Sequence, residues 1–148
     1  MQLSRDHKPD DPLEKEYILA RGGRIDSYRD RLGNQVGPMR VWLKYEDTPG
    51  LAMSRSFGDS VACKAGVHAV PEIRTYELQP NDKVIVLASD GIWEFLSNQR
   101  VASLILPFIE KRNAEAAAET IIREAFRSWK REEQVIDDIT CVILFLDV

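Results

Sequence analysis

The chain has 148 residues, 44% of them hydrophobic, which is enough to bury the core of one globular unit. Its net charge of −4 leaves no basic total for holding nucleic acid. The cations Lys111, Arg112, Arg123, Arg127, Lys130 and Arg131 are interspersed with glutamates, as on a solvated helical face. Cys63 and Cys141 lack paired spacing, which argues against a disulfide framework or a zinc site and fits an intracellular setting, cytoplasmic or nuclear. The start, Met1 to Lys8, is too charged for a signal peptide, and no apolar run reaches the length of a bilayer span. Neither nucleic acid nor a membrane is therefore expected as a partner.

In chain order, Asp11-Pro12-Leu13-Glu14 predicts a helix from about Pro12 to Arg21, stopped by Gly22-Gly23. Leu13, Tyr17 and Ile18 would form its short apolar face. From Arg24 to Gly50 the sequence is polar and broken by glycines and prolines, with one alternating patch at Arg40–Lys44, and reads as a functional loop or flap. Trp42 within it is expected to pack against its own domain. Composition alone makes Arg55 a surface cation and residues 60–70 a loop, with His68 a solvent or packing residue. Glu72–Leu78 reads as a strand, and Gln79-Pro80-Asn81-Asp82 as a turn leading into a second, antiparallel strand.

That second strand is Val84-Ile-Val-Leu-Ala88, apolar without alternation, so it is expected to be central and covered on both faces. Asp90 falls where the run ends. Gly91 allows a sharp turn there before Ile92, Trp93, Phe95 and Leu96 resume a helical pattern. Ser97 or Asn98 can cap the next helix, whose core face is Val101, Leu104, Ile105, Phe108 and Ile109, with Pro107 expected to kink or shorten it. Asn113 caps another helix with Ala118, Ile121, Ile122, Ala125 and Trp129 on one side. An acidic loop carrying Asp137 and Asp138 then leads to Ile139–Leu146, a strand also expected to be central.

If the two apolar strands lie side by side and antiparallel, the exit of one meets the entrance of the other, and Asp90 converges with Asp137 and Asp138. Like charges at close range call for a cation, a proton or wide separation. A hard divalent ion, Mg²⁺ or Mn²⁺, would suit oxygen donors of this kind. Acidic residues at strand ends are also common as helix caps or turn formers, and both possibilities stay open on pattern alone.

Four motifs bear on the choice: Asp6-His-Lys-Pro, Pro49-Gly-Leu-Ala-Met-Ser-Arg-Ser-Phe-Gly-Asp59, Leu87-Ala-Ser-Asp-Gly-Ile-Trp-Glu94 and Asp137-Asp-Ile-Thr140. In this order and spacing the chain resembles the metal-dependent protein serine/threonine phosphatases of type 2C, with residues 1–148 covering the C-terminal part of that catalytic domain. The resemblance implies an α+β fold, part of an α-β-β-α sandwich with antiparallel sheets flanked by helices, and a flap at about residues 23–50. It further implies a binuclear Mg²⁺ or Mn²⁺ centre in the complete domain and a phosphoprotein substrate.

By the same resemblance Asp90 and Asp137 are metal ligands. Glu94 stands where many members have an aspartate that helps hold a weaker third metal. Asp138 takes the place of the usual asparagine, so a ligand role does not carry over to it. Arg55 and Asp59 match a segment beside the flap, where substrate contact and scaffold support are both open.

The family's Asp-Gly-His-Gly motif, its phosphate-gripping arginine and its Gly-Asp-Ser-Arg segment do not occur in these residues, and His7 does not stand in for the missing histidine. The implied activity is metal-dependent hydrolysis of phosphoserine or phosphothreonine in the complete domain, with this chain inactive alone. The alternative is a non-catalytic, partner-binding relative. Either way, exposed sheet faces or edges are expected to favour self-association.

Overall fold

Helix α1 (Pro12–Ala20) begins where Asp11 and Pro12 place it: Asp11 Oδ1 accepts from Leu13 N at 3.1 Å, and Pro12 fills the first helical turn. The computed structural model describes residues 1–133 and 135–147. Ile18 is buried, but Leu13 is 68% exposed and Glu14 takes the inward position. The expected Leu13–Tyr17–Ile18 face is corrected accordingly. A carboxylate can occupy that position because an arginine meets it there, as described below.

The stretch expected to be irregular is a three-stranded antiparallel sheet, β1 (Gly23–Arg29), β2 (Gln35–Leu43) and β3 (Pro49–Leu51). Its sequence punctuation misleads because the breakers sit where the ladder is broken. Gly33, at φ +85°, lies in the connecting turn, where Asp30 Oδ1 accepts from the backbone of Leu32 and Asn34. Pro38 falls where the register shifts between Asp26 and Tyr28, so its missing N–H costs no rung. Trp42 packs within its own unit as expected: it is 5% exposed, donates to Asp26 O at 2.9 Å and meets the edge of Tyr28.

Residues 60–70, expected as a loop, contain helix α2 (Ser60–Lys64), capped by Asp59 Oδ1, which accepts from Ala62 N at 3.0 Å. Ala62, Ala65 and Val67 join Ile18 and Val41 in one buried cluster. These elements belong to the unit Leu3–Arg74; the remainder, Met1–Gln2 and Thr75–Val148, forms a second, where length alone suggested one. Each unit has its own apolar cluster, which is the physical basis of the division.

In the second unit β4 (Val84–Ala88) pairs antiparallel with β5 (Cys141–Phe145), from Val84 opposite Phe145 to Ala88 opposite Cys141. Between them in sequence come α3 (Asp90–Trp93), α4 (Asn98–Ile109) and α5 (Ala114–Glu132). Val84, Val86, Ala88, Cys141, Ile143 and Phe145 pack against Ile92, Leu96, Val101, Ile105, Ile121 and Ala125. On the other face Leu87, Val142 and Leu144 are each more than half exposed. The expectation that both strands are covered on both faces is therefore corrected, since the helices described here cover one face only.

Glu72–Leu78 is not a strand, and among the described residues β4 has no partner but β5. Local side-chain bonds take the place of a ladder there. Glu72 is held by arginines, and Asp82 accepts from Tyr76 Oη and Gln79 N. The turn after it stands, with Asp82 N donating to Gln79 O at 2.9 Å.

Ser97 and Asn113 cap α4 and α5 as expected, and α4 continues through Pro107 to end at Ile109. The buried stripe of α5 is Ala117, Ile121, Ala125 and Ser128, rotated from the expected one so that Ile122 turns outward. Trp129 stands half-buried at its margin, where its indole N–H finds a carbonyl on α3. Among the described residues no helix is long and apolar enough to cross a membrane.

Candidate functional site

The antiparallel pairing of β4 and β5 brings the Asp90 turn and the Asp137–Asp138 loop to the same end of the ladder. Ser89 N donates to Thr140 O at 3.0 Å, one residue beyond the last strand pair. The Ser89 hydroxyl donates to Asp138 O at 3.0 Å and accepts from Thr140 N at 3.1 Å. Gly91 is pressed against the same loop: a Cβ at that position would lie 2.3 Å from Asp138 O. Its glycine is thus explained by close backbone approach, while the turn itself is the first turn of α3, which already starts at Asp90.

The acidic side chains at this end are open to solvent. Asp90 is exposed, and its carboxylate makes no hydrogen bond or ion pair among the described residues. Glu94 is exposed one helical turn later, with its N–H on Asp90 O at 2.9 Å. Asp137 and Asp138 are exposed as well, and Asp137 Oδ1 accepts from Asp138 N at 2.7 Å. Two indoles hold the turn from behind, Trp93 donating to Ala88 O at 3.1 Å and Trp129 to Gly91 O at 2.7 Å. Ser89 and Trp129 were not singled out as site residues from sequence. The serine before Asp90 was readable as a helix cap, but a bond to a loop 49 residues away was not.

Arg55 belongs to the other unit. Its Nε donates to Glu14 Oε2 at 3.0 Å, its Nη2 binds Glu14 Oε1, and its Nη1 donates to Val70 O at 3.0 Å. It is not the free surface cation that composition suggests. Arg5 joins the cluster, bonding Asp11 at 2.5 Å and Glu72 at 3.0 Å and lying 3.5 Å from Glu14. The Arg55 guanidinium holds the Glu14 carboxyl below the usual carboxylate range, and burial opposes it. Arg5, Arg74 and His7 lower Glu72 to about 2. His7 is therefore engaged with a carboxylate, its Nε2 3.3 Å from Glu72. His68 packs edge-on against Tyr17, and burial lowers its pKa, which suits a packing residue.

Against this geometry stand the matches to known proteins. The protein phosphatase 2C family model matches residues 1–133. The chain belongs to the protein phosphatase 2C family.

It is 41% identical over 148 residues to probable protein phosphatase 2C 52 of Arabidopsis thaliana, covering 99% of this chain and 30% of that protein. With probable protein phosphatase 2C 73 of the same plant the identity is 38%, over 99% of this chain and 38% of the relative. Probable protein phosphatase 2C 12 of Oryza sativa subsp. japonica is 38% identical, over 99% and 36%. The chain thus spans well under half the length of these 2C relatives. In fold it is similar to a serine-threonine phosphatase 2C from Toxoplasma gondii, with a TM-score of 0.80 at 23% identity over 97% of this chain and 46% of that one.

The family is generally metal-dependent. The carboxylates at the β4–β5 end have the hard oxygen chemistry that Mg²⁺ or Mn²⁺ prefers. Their arrangement does not make a site by itself: among the described residues no group of three or more His, Cys, Asp or Glu side chains is placed to hold a metal ion.

Proposed function

We propose that this chain is the C-terminal part of a type 2C catalytic domain that hydrolyses phosphoserine and phosphothreonine in proteins, and that it is inactive alone. What carries the proposal is the joining of the Asp90 turn to the Asp137–Asp138 loop at one end of the β4–β5 pair. That arrangement supplies two exposed carboxylates, from Asp90 and Asp137, as this chain's share of a Mg²⁺ or Mn²⁺ centre, with Glu94 at its margin. The remaining ligands and the phosphate-gripping groups would come from residues outside this sequence. The partial coverage of the plant relatives supports this division. Arg55 is assigned to scaffold support, because each of its three guanidinium nitrogens already donates to Glu14 or Val70 O. The two cysteines are unpaired, which suits a reducing compartment, cytoplasm or nucleus.

The test is phosphopeptide hydrolysis by the purified chain in Mn²⁺ or Mg²⁺, alone and mixed with the part of a plant relative that the match leaves out. No turnover alone, and metal-dependent turnover in the mixture that Asp90→Asn removes, is the expected result. Turnover by the chain alone that Asp90→Asn abolishes would overturn its assignment as an inactive part.

A second function, association with another copy, is favoured by the open face of the β4–β5 pair. Leu87, Val142 and Leu144 are each more than half exposed on that face, an apolar surface that can meet its own copy about a twofold axis. Light scattering across a concentration series decides this, and a monomer mass throughout would exclude it.

A further inference from the structure

The α3 turn contains a serine used in an unusual way. Ser89 is the N-cap residue of α3, a position where a serine hydroxyl ordinarily accepts from the second or third N–H of its own helix. Here the side chain makes no such bond. As at any N-cap, the Ser89 carbonyl serves the helix, accepting from Ile92 N at 3.1 Å and from Trp93 N at 3.4 Å.

This has a consequence across the ladder. An antiparallel pair that exchanges both backbone bonds would have Ser89 N on Thr140 O and Thr140 N on Ser89 O. The first is present at 3.0 Å, but the carbonyl needed for the second already serves α3. The Ser89 hydroxyl takes its place, accepting from Thr140 N at 3.1 Å, and its proton goes to Asp138 O at 3.0 Å. One hydroxyl thereby uses its donor and one acceptor site on the loop that carries the acids.

We propose that Ser89 is a positioning residue: its hydroxyl replaces the rung lost to α3 and fixes the Asp137–Asp138 loop against the turn that carries Asp90. Gly91 completes the fit, because only an absent side chain admits Asp138 O at that distance. The functional meaning of this clamp rests on the assignment of Asp90 and Asp137 as ligands, whereas the clamp itself does not.

The experiment is NMR on the purified full chain, comparing wild type, Ser89→Ala and Ser89→Thr. Gly91 faces Ile139, whose Cα would lie 3.2 Å from a Cβ on residue 91, so a proton–proton contact between Gly91 and Ile139 reports the placement. In Ser89→Ala this contact is expected to weaken and Thr140 amide exchange to quicken about fivefold, with global melting retained. Ser89→Thr, which keeps the hydroxyl, is expected to restore both. An unchanged Gly91–Ile139 contact in Ser89→Ala would overturn the positioning role, even if Thr140 exchange quickened.

Added Mn²⁺ separates this from the ligand assignment. Broadening at both the Asp90 turn and the Asp137 loop in wild type, made unequal in Ser89→Ala, supports both. Broadening at neither in wild type, with the contact still lost in Ser89→Ala, keeps the positioning role, and the ligand assignment is then decided by whether Asp90→Asn removes turnover in the mixture with the missing part.

Discussion

Arg55 Nε donates to Glu14 Oε2 at 3.0 Å across 41 residues of sequence, and the second guanidinium nitrogen takes the other carboxylate oxygen. Glu14 is 3% exposed, so this two-pronged pair is the reason an acid can occupy the inward face of α1. The same contact removes Glu14 from the capping role that its place after Asp11 suggests, and ties α1 to the segment that follows β3. An ion pair of this kind fixes geometry more surely than it adds net stability, since both charges must leave water.

Removing one partner should cost more than the pair is worth. Glu14→Ala leaves the Arg55 guanidinium part-buried without its carboxylate, and Arg55→Ala leaves Glu14 buried without its cation. The expected loss is about 2–3 kcal/mol for either, below the range for fully buried pairs because the Arg55 side chain keeps 19% of its surface in water. Urea denaturation provides the measurement. Loss of less than about 0.5 kcal/mol in both variants would show that the pair is screened like a surface bridge.

Acid stability follows from the same cluster. Glu72 is lowered to about 2 by Arg5, Arg74 and His7, and Glu14 and Asp11 are lowered by Arg55 and Arg5. Carboxylates depressed in the fold stabilise it above their ordinary pKa of about 4, and that contribution is lost as pH falls through the folded values. His68 has its pKa lowered by burial, so the unfolded chain binds its proton first and the fold loses stability below about pH 6.5. Melting temperature is expected to decline gently below that point and more steeply from about pH 4 towards 2. His68→Gln should remove the upper phase alone and Glu72→Gln should flatten the lowest part. A profile level down to about pH 3 would contradict the assignment.

Gly91→Ala tests the close approach at the acidic end directly. Its methyl would meet the Asp138 carbonyl at 2.3 Å, and the obstacle is backbone, so the loop must move. A cost of about 1–3 kcal/mol in thermal unfolding is expected, together with shifted amide resonances for Asp138 and Ile139. Gly58→Ala provides the contrast: it has open space but a φ of +70°, and its cost should come without any change at the acidic loop. Equal resonance shifts in both variants would mean that residue 91 does not press on the loop.

How far the sequence made this visible depends on which interactions decide each element. Local chemistry was legible: Asp11, Ser97 and Asn113 cap the helices they precede, and Trp42 packs where a bulky loop aromatic usually does. Elements whose identity depends on a distant partner were not. The β1–β3 sheet was hidden because its breakers coincide with a turn and a register shift, and Glu72–Leu78 has strand-like residues but no ladder partner among the described residues. The unbroken apolar runs of β4 and β5 pointed to two covered faces, yet hydrophobicity states a need for burial and not whether these residues meet it. The common position of Asp90 and Asp137 followed from antiparallel pairing alone. The Ser89 bonds that join their segments required coordinates.

The exposed face of β4 and β5 gives the last prediction. Leu87, Val142 and Leu144 lie on one side of a pair whose other side is packed, so changing them should alter association without disturbing the core. Val142→Thr with Leu144→Thr places β-branched side chains suited to a strand at both positions while removing apolar surface. Because these positions are more than half exposed, each change should shift stability by only about 0.5 kcal/mol. The wild-type chain is expected to show a mass that rises with concentration in light scattering, and the double variant a monomer mass. Concentration-dependent mass that persists in the double variant would place the association on another surface. A large loss of stability in that variant would mean that this face is already covered within the chain.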